Sequence, residues 1–307
     1  MRLIIFLFIF NSTFCLAQCS QDALKNHILQ LAKNRPYADS SIQTSLLKNA
    51  NYIYKELSTF STKVDYQKFE FHGYTYQNVL CSFGKETAPR IIIGAHYDVD
   101  PKESNLLENY SGIAALIELA RMLHKVEKQL PIRIDLVAYS LGTHSIYQHE
   151  LSGSAVHAKS VSTADQHIQG LIEIDGIGLF SSKRKSQQYP SMHYKLMYGT
   201  KANFIAIIQN PDNGLWARAT RYKLKQYADG LRCINFKPLV PFEYFNDGNF
   251  LNYQSYQIPS LKISTASQYR KKVISSWNEK EFYLHLDYSK MAKVVNMLYK
   301  TITNFKT

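Results

Sequence analysis

Apolar residues recur at helical spacing near the start of the chain. Ile28, Leu29 and Leu31, then Leu46, Leu47, Ala50, Ile53 and Leu57, predict two helices between about Gln21 and Phe60. The period then changes. Val64 to Phe71 and Thr75 to Ser82 predict two strands around His72-Gly73. Ala88-Pro89 interrupts the pattern before Arg90-Ile91-Ile92-Ile93-Gly94-Ala95, a continuous apolar run of the kind carried by a buried strand. Further on, the pattern predicts a helix over Ile113 to Val126 opening after Ser111-Gly112, a strand over Ile132 to Tyr139, and a short strand over Leu171 to Ile174 ending at Asp175. A strand over Tyr194 to Tyr198, a helix from about Leu215 to Tyr227, a strand over Ser260 to Ile263 and a closing helix over Tyr288 to Phe305 complete it. Strands that alternate with helices and are themselves apolar predict an α/β three-layer sandwich, a mostly parallel central sheet flanked by helices. With no repeat or low-complexity linker, residues 18–307 read as one such domain, its N-terminal helices at about 21–60.

The N-terminus sets an expected compartment. Met1-Arg2, the apolar run from Leu3 to Phe10 and the small residue Ala17 fit a cleaved secretory signal over residues 1–17. The run is too short for a membrane-spanning helix, which needs about 20 residues. A secreted or periplasmic protein is expected, with lipid anchoring through Cys19 as the minor alternative. After cleavage Cys19, Cys81 and Cys233 remain, an odd number that argues against a disulfide framework. The excess of 36 basic over 24 acidic residues gives a net charge of +12. The lysines are spread along the chain, so a solvated surface is read there and no nucleic-acid partner is expected.

Candidate chemistry gathers at strand ends, where sites form in sheets of this type. His96-Tyr97-Asp98 places an imidazole just past a buried strand, with a carboxylate two residues on that can fix its orientation. Glu108 lies four residues before Gly112, and Asp175 ends another strand. An imidazole with carboxylates is a reasonable zinc set.

Several blocks in order make this specific. They are Ile92-Ile93-Gly94-Ala95-His96-Tyr97-Asp98, Ser111-Gly112-Ile113-Ala114-Ala115, Asp135-Leu136-Val137-Ala138-Tyr139-Ser140, Gly153-Ser154-Ala155 and Ile174-Asp175-Gly176-Ile177-Gly178. Together they resemble metallopeptidase family 28, the two-zinc aminopeptidases, and the stretch from Leu286 to Val295 is similar to that family's last helix. The resemblance implies a zinc-aminopeptidase-like fold and assigns roles by position. His96 and Asp175 match ligands of one zinc, Asp98 the aspartate that orients the histidine, and Glu108 stands where a bridging aspartate is expected. The extra methylene of Glu108 displaces its carboxylate by ~1.5 Å, whereas metal sites tolerate errors of about 0.2 Å.

The other roles have no match. Adjacent glutamates, one the general base and one a ligand, are replaced by Gly142-Thr143, and Trp277 stands where the final histidine is expected. The resemblance therefore implies a catalytically impaired relative with zero or one zinc, held by His96, Glu108 and Asp175, that binds a peptide or protein ligand. One alternative is an active aminopeptidase in which His144, His149 or Glu150 moves into the site. A glutamine-cyclising activity on a similar fold also needs an acid near Gly142. A further alternative is a serine hydrolase, because Ala138-Tyr139-Ser140-Leu141-Gly142 loosely matches a nucleophile elbow, with Asp175 and His193 or His285 as partners.

Overall fold

The computed structural model describes residues 18–34, 42–99, 106–143, 149–164, 167–189, 191–209, 214–236, 248–270 and 279–305, except the side chains of 106–108 and 279–281. The expected signal segment 1–17, His144 and Trp277 lie outside the described residues.

Helices α1 (Gln21–Lys33) and α2 (Ile42–Ser58) lead into an antiparallel pair, β1 (Val64–Phe71) and β2 (Tyr74–Phe83). Then follow β3 (Arg90–His96), α3 (Leu106–His124), β4 (Arg133–Tyr139), α4 (Gly153–Thr163) and β5 (Ile168–Asp175). The chain continues through α5 (Met192–Tyr198), β6 (Ile205–Gln209), α6 (Gly214–Gln226), β7 (Cys233–Phe236), α7 (Phe250–Gln254), β8 (Ser260–Ser264) and α8 (Tyr288–Thr303). The eight strands form one sheet in the order β1-β2-β4-β3-β5-β8-β6-β7. Its centre, β4-β3-β5-β8, is parallel, and β6 pairs antiparallel with β8. The three-layer, mostly parallel arrangement expected from the apolar pattern is present.

Alternation along each strand divides the core. Ile91, Ile93, Ile172, Ile174, Leu261 and Ile263 face one side, where α1, α2, α3, α6 and α8 cover them. Ile92, Val137, Tyr139 and Leu171 face the other, under α4, α5 and α7. By the same two-residue period, His96 on β3, Glu173 and Asp175 on β5, and Lys262 on β8 fall on this second face. Gly94 is required there: a Cβ would collide with the ring of Tyr139 on the neighbouring strand.

Two expectations are corrected. Tyr194 to Tyr198 is not a strand but most of α5, which ends at Gly199 with φ 81°, a value suited to glycine. Ser111-Gly112 does not open α3, which begins at Leu106; Gly112 lies within it, where a Cβ would come 2.7 Å from the Ile174 carbonyl oxygen. The stretch between β4 and β5 contains α4, capped by Ser152, whose Oγ accepts a hydrogen bond from Ala155 N at 3.4 Å. The three described cysteines, Cys19, Cys81 and Cys233, are free, and Cys19 packs in the core beside α3. Among the described residues no helix is long and apolar enough to cross a membrane.

On the second face, His157 of α4 lies 2.5 Å from the Tyr253 hydroxyl, which is 2.6 Å from that of Tyr139. Burial pushes the His157 pKa down to about 4, with Arg90 reinforcing and Asp135 opposing. A histidine with a depressed folded-state pKa contributes stability that is complete above its unfolded value of about 6.5 and declines as pH falls towards 4. This loss is expected to be roughly 3 kcal/mol between pH 7 and 4. Urea unfolding at the two pH values should show His157→Gln with a clearly shallower pH dependence than the unmodified protein; equal slopes would refute the assignment.

Candidate functional site

The ends of β3 and β5 and the middle of β8 bring His96, Asp175 and Lys262 together. His96 is held first by its own loop, with Nδ1 3.1 Å from Asp98 Oδ1. The Asp98 carboxylate also accepts hydrogen bonds from the backbone N–H groups of Gly142 (2.9 Å) and Thr143 (3.1 Å). On the far side of the ring, His96 Nε2 lies 3.8 Å from Asp175 Oδ1. Lys262 Nζ lies 3.4 Å from the other oxygen, Asp175 Oδ2. Asp175 is thus bracketed by an imidazole and an ammonium.

Burial makes these contacts consequential. The side chains of His96, Asp98 and Lys262 are 7%, 6% and 2% exposed, and Asp175 is the most open at 26%. Burial alone would lower the His96 pKa, but hydrogen bonding to Asp175 and Asp98 outweighs it and holds the ring well above the ordinary histidine value. Burial likewise pushes Asp175 up, yet Lys262 and His96 win and hold its carboxyl well below the usual range.

A second layer fills the space beside Gly142. Glu173 Oε1 accepts hydrogen bonds from Asn249 N (3.1 Å) and Nδ2 (2.9 Å), and Oε2 accepts from Phe250 N (2.9 Å), so a buried carboxylate caps the start of α7. Burial nonetheless pushes the Glu173 pKa up, against Lys262 and these donors. Asn249 Nδ2 also donates to the Gly142 carbonyl oxygen at 3.2 Å, while its Oδ1 accepts from Ser154 Oγ at 2.7 Å. The result is a wedge. A Cβ on Gly142 would lie 2.5 Å from His96 Cβ and 2.9 Å from Asn249 Oδ1.

The structure brings His96, Asp98 and Asp175 together and places Gly142 and Thr143 against Asp98 by their backbone. Glu108 belongs to the first turn of α3, but its side chain is outside the described residues. His149 and Glu150 are exposed, and the His149 ring stands edge-on to Phe71 of β1, 5.1 Å between centroids. The serine-hydrolase arrangement is not assembled. Ser140 is fully buried with its hydroxyl unbonded, whereas His193 and His285 are exposed.

Lys262 and Asn249 were not among the sequence candidates. Lys262 had a readable signal, a single charge inside the otherwise uncharged strand Ser260-Leu261-Lys262-Ile263-Ser264, where an unpaired lysine is costly. Asn249 had none, because its role comes from a capping contact across the sheet.

The fold defines the class as aminopeptidase-like. The chain belongs to Peptidase family M28, whose family model matches residues 78–266. YfbL of Escherichia coli K12, an uncharacterized protein, is 30% identical over 278 residues, covering 85% of this chain and 81% of YfbL. A leucine aminopeptidase precursor from Bacteroides thetaiotaomicron matches the fold with a TM-score of 0.65 at 17% identity, over 95% of this chain and 99% of that one. Porphyromonas gingivalis glutaminyl cyclase matches with a TM-score of 0.66 at 17% identity, over 92% and 98%.

Zinc is the metal of this family, so the donors need testing against it. Among the described residues no group of three or more His, Cys, Asp or Glu side chains could hold a metal ion. His96 and Asp175 supply two donors, and a catalytic zinc takes three from the protein. Lys262 already faces the second Asp175 oxygen. A dication about 4 Å from an ammonium is opposed by roughly 8 kcal/mol at an effective dielectric constant near 20. That approaches the ~10–16 kcal/mol by which a complete structural zinc site binds its ion. The described residues do not fit a zinc centre.

Proposed function

We propose that this chain is a secreted or periplasmic member of Peptidase family M28 that has lost hydrolytic activity and binds a peptide or protein ligand at the sheet end around Asp175. The observation that carries the reading is Gly142. Its position corresponds to the family's general base, it has no acid, and a Cβ there would meet His96 and Asn249 at 2.5 Å and 2.9 Å. General-base assistance is typically worth ~10²–10⁴ in rate; His149 and Glu150 are both exposed, with the His149 ring against Phe71. Asp175 is the cluster carboxylate most open to solvent.

The purified mature chain, assayed on aminoacyl reporters and on peptides with N-terminal glutamine, is expected to show no turnover above background with or without added zinc. Zinc-dependent, chelator-sensitive hydrolysis or cyclisation would sink the reading.

A further inference from the structure

The cation at the heart of this site is part of the chain. We infer that Lys262 replaces a metal ion: its ammonium neutralises Asp175 from within, so that the strand ends are joined by a metal-free His96–Asp175–Lys262 cluster. This rests on the geometry around Lys262 and not on the loss of activity, because metal binding is read without turnover.

Four observations support it. Lys262 is 2% exposed and lies opposite Glu173 in the parallel β5–β8 register, so its stem starts on the face that carries Asp175 and His96. Its Nζ reaches Asp175 Oδ2 at 3.4 Å, whereas zinc accepts carboxylate oxygen at about 2.0–2.2 Å. An ion bound through both Asp175 oxygens would have to displace the ammonium.

The stem also has a fitted channel. Gly248 has φ 132°, and a Cβ there would lie 2.8 Å from Glu173 Oε2 and 3.3 Å from Lys262 Cδ, so only glycine leaves the side chain its path. The Phe250 ring covers the other end, with Nζ 5.9 Å from its centroid. A lysine threaded past a glycine, beneath an aromatic ring and onto a carboxylate is built into its place. The negative charge that a metal would otherwise neutralise is already neutralised.

Zinc titration of the chelator-stripped mature protein, by calorimetry and elemental analysis, tests this. The unmodified chain is expected to hold far less than one zinc per molecule through His96, so His96→Ala should change nothing. Zinc that survives His96→Ala is held elsewhere and agrees with the inference. Lys262→Met keeps most of the stem and removes the charge; it is expected to raise zinc affinity by several orders of magnitude, up to roughly 10⁶-fold, a gain abolished in Lys262→Met/His96→Ala. One tightly bound zinc in the unmodified chain, lost in His96→Ala, overturns the inference, as does a folded Lys262→Met protein with no gain. Should Lys262→Met fail to fold, the comparison of the unmodified chain with His96→Ala decides alone.

Discussion

Asp175→Asn is expected to destabilise the protein by about 3–5 kcal/mol, a fall of roughly 10 °C in Tm for a chain of this size. The substitution barely changes shape, so packing is not the cause. Its effect is to remove the carboxylate that faces the Lys262 ammonium at 3.4 Å and the His96 ring at 3.8 Å in a low-dielectric site. Removing one member of a buried pair is costly for that reason, whereas removing both can be nearly neutral. Lys262→Met added to Asp175→Asn should therefore recover much of the loss, a coupling readable from a double-mutant cycle in urea. A single-variant loss below about 1 kcal/mol would mean that water, not Asp175, satisfies Lys262.

Gly142→Glu is expected to restore no peptidase activity and to cost at least about 4 kcal/mol. Overpacking alone typically costs 1–3 kcal/mol. Here the first added atom would already lie 2.5 Å from His96 Cβ and 2.9 Å from the Asn249 amide. A carboxylate would add the penalty of burying a charge beside Asp98 and Glu173. Gly142→Ala separates the two contributions and should lose only the packing part. A stable, zinc-activated Gly142→Glu enzyme would show that the missing acid is the whole of the difference. The structure argues otherwise, since Asn249 fills the position beside Gly142 and is fixed there by Glu173 and Ser154.

What the sequence revealed follows from how local each signal was. β3 was legible because it is a nearly unbroken apolar run ended by His96, and β5 because Leu171, Ile172 and Ile174 lead up to Asp175; a parallel sheet aligns such ends. The alternation that puts those residues on one face is equally local. Short elements were not legible in this way. In α5, aromatic residues at 194 and 198 imitate a strand, and only the following Gly199 marks a helix end. In α4, Gly, Ser, Val and Thr have weak helix propensity, and the helix depends instead on the Ser152 cap and on burial of Ala158 and Val161. The site divides along the same line. His96, Asp98 and Asp175 stand in recognisable blocks, while the Lys262–Asp175 pair and the Asn249 wedge exist only once distant segments meet.

The grip of Asp98 on the main chain has an evolutionary corollary. A carboxylate that reads amide protons is indifferent to whichever side chains those amides carry. The turn after β4 is therefore anchored to the imidazole loop through its amides, a tie that does not itself specify the side chains at 142 and 143. In such a scaffold, chemistry is erasable and architecture is retained.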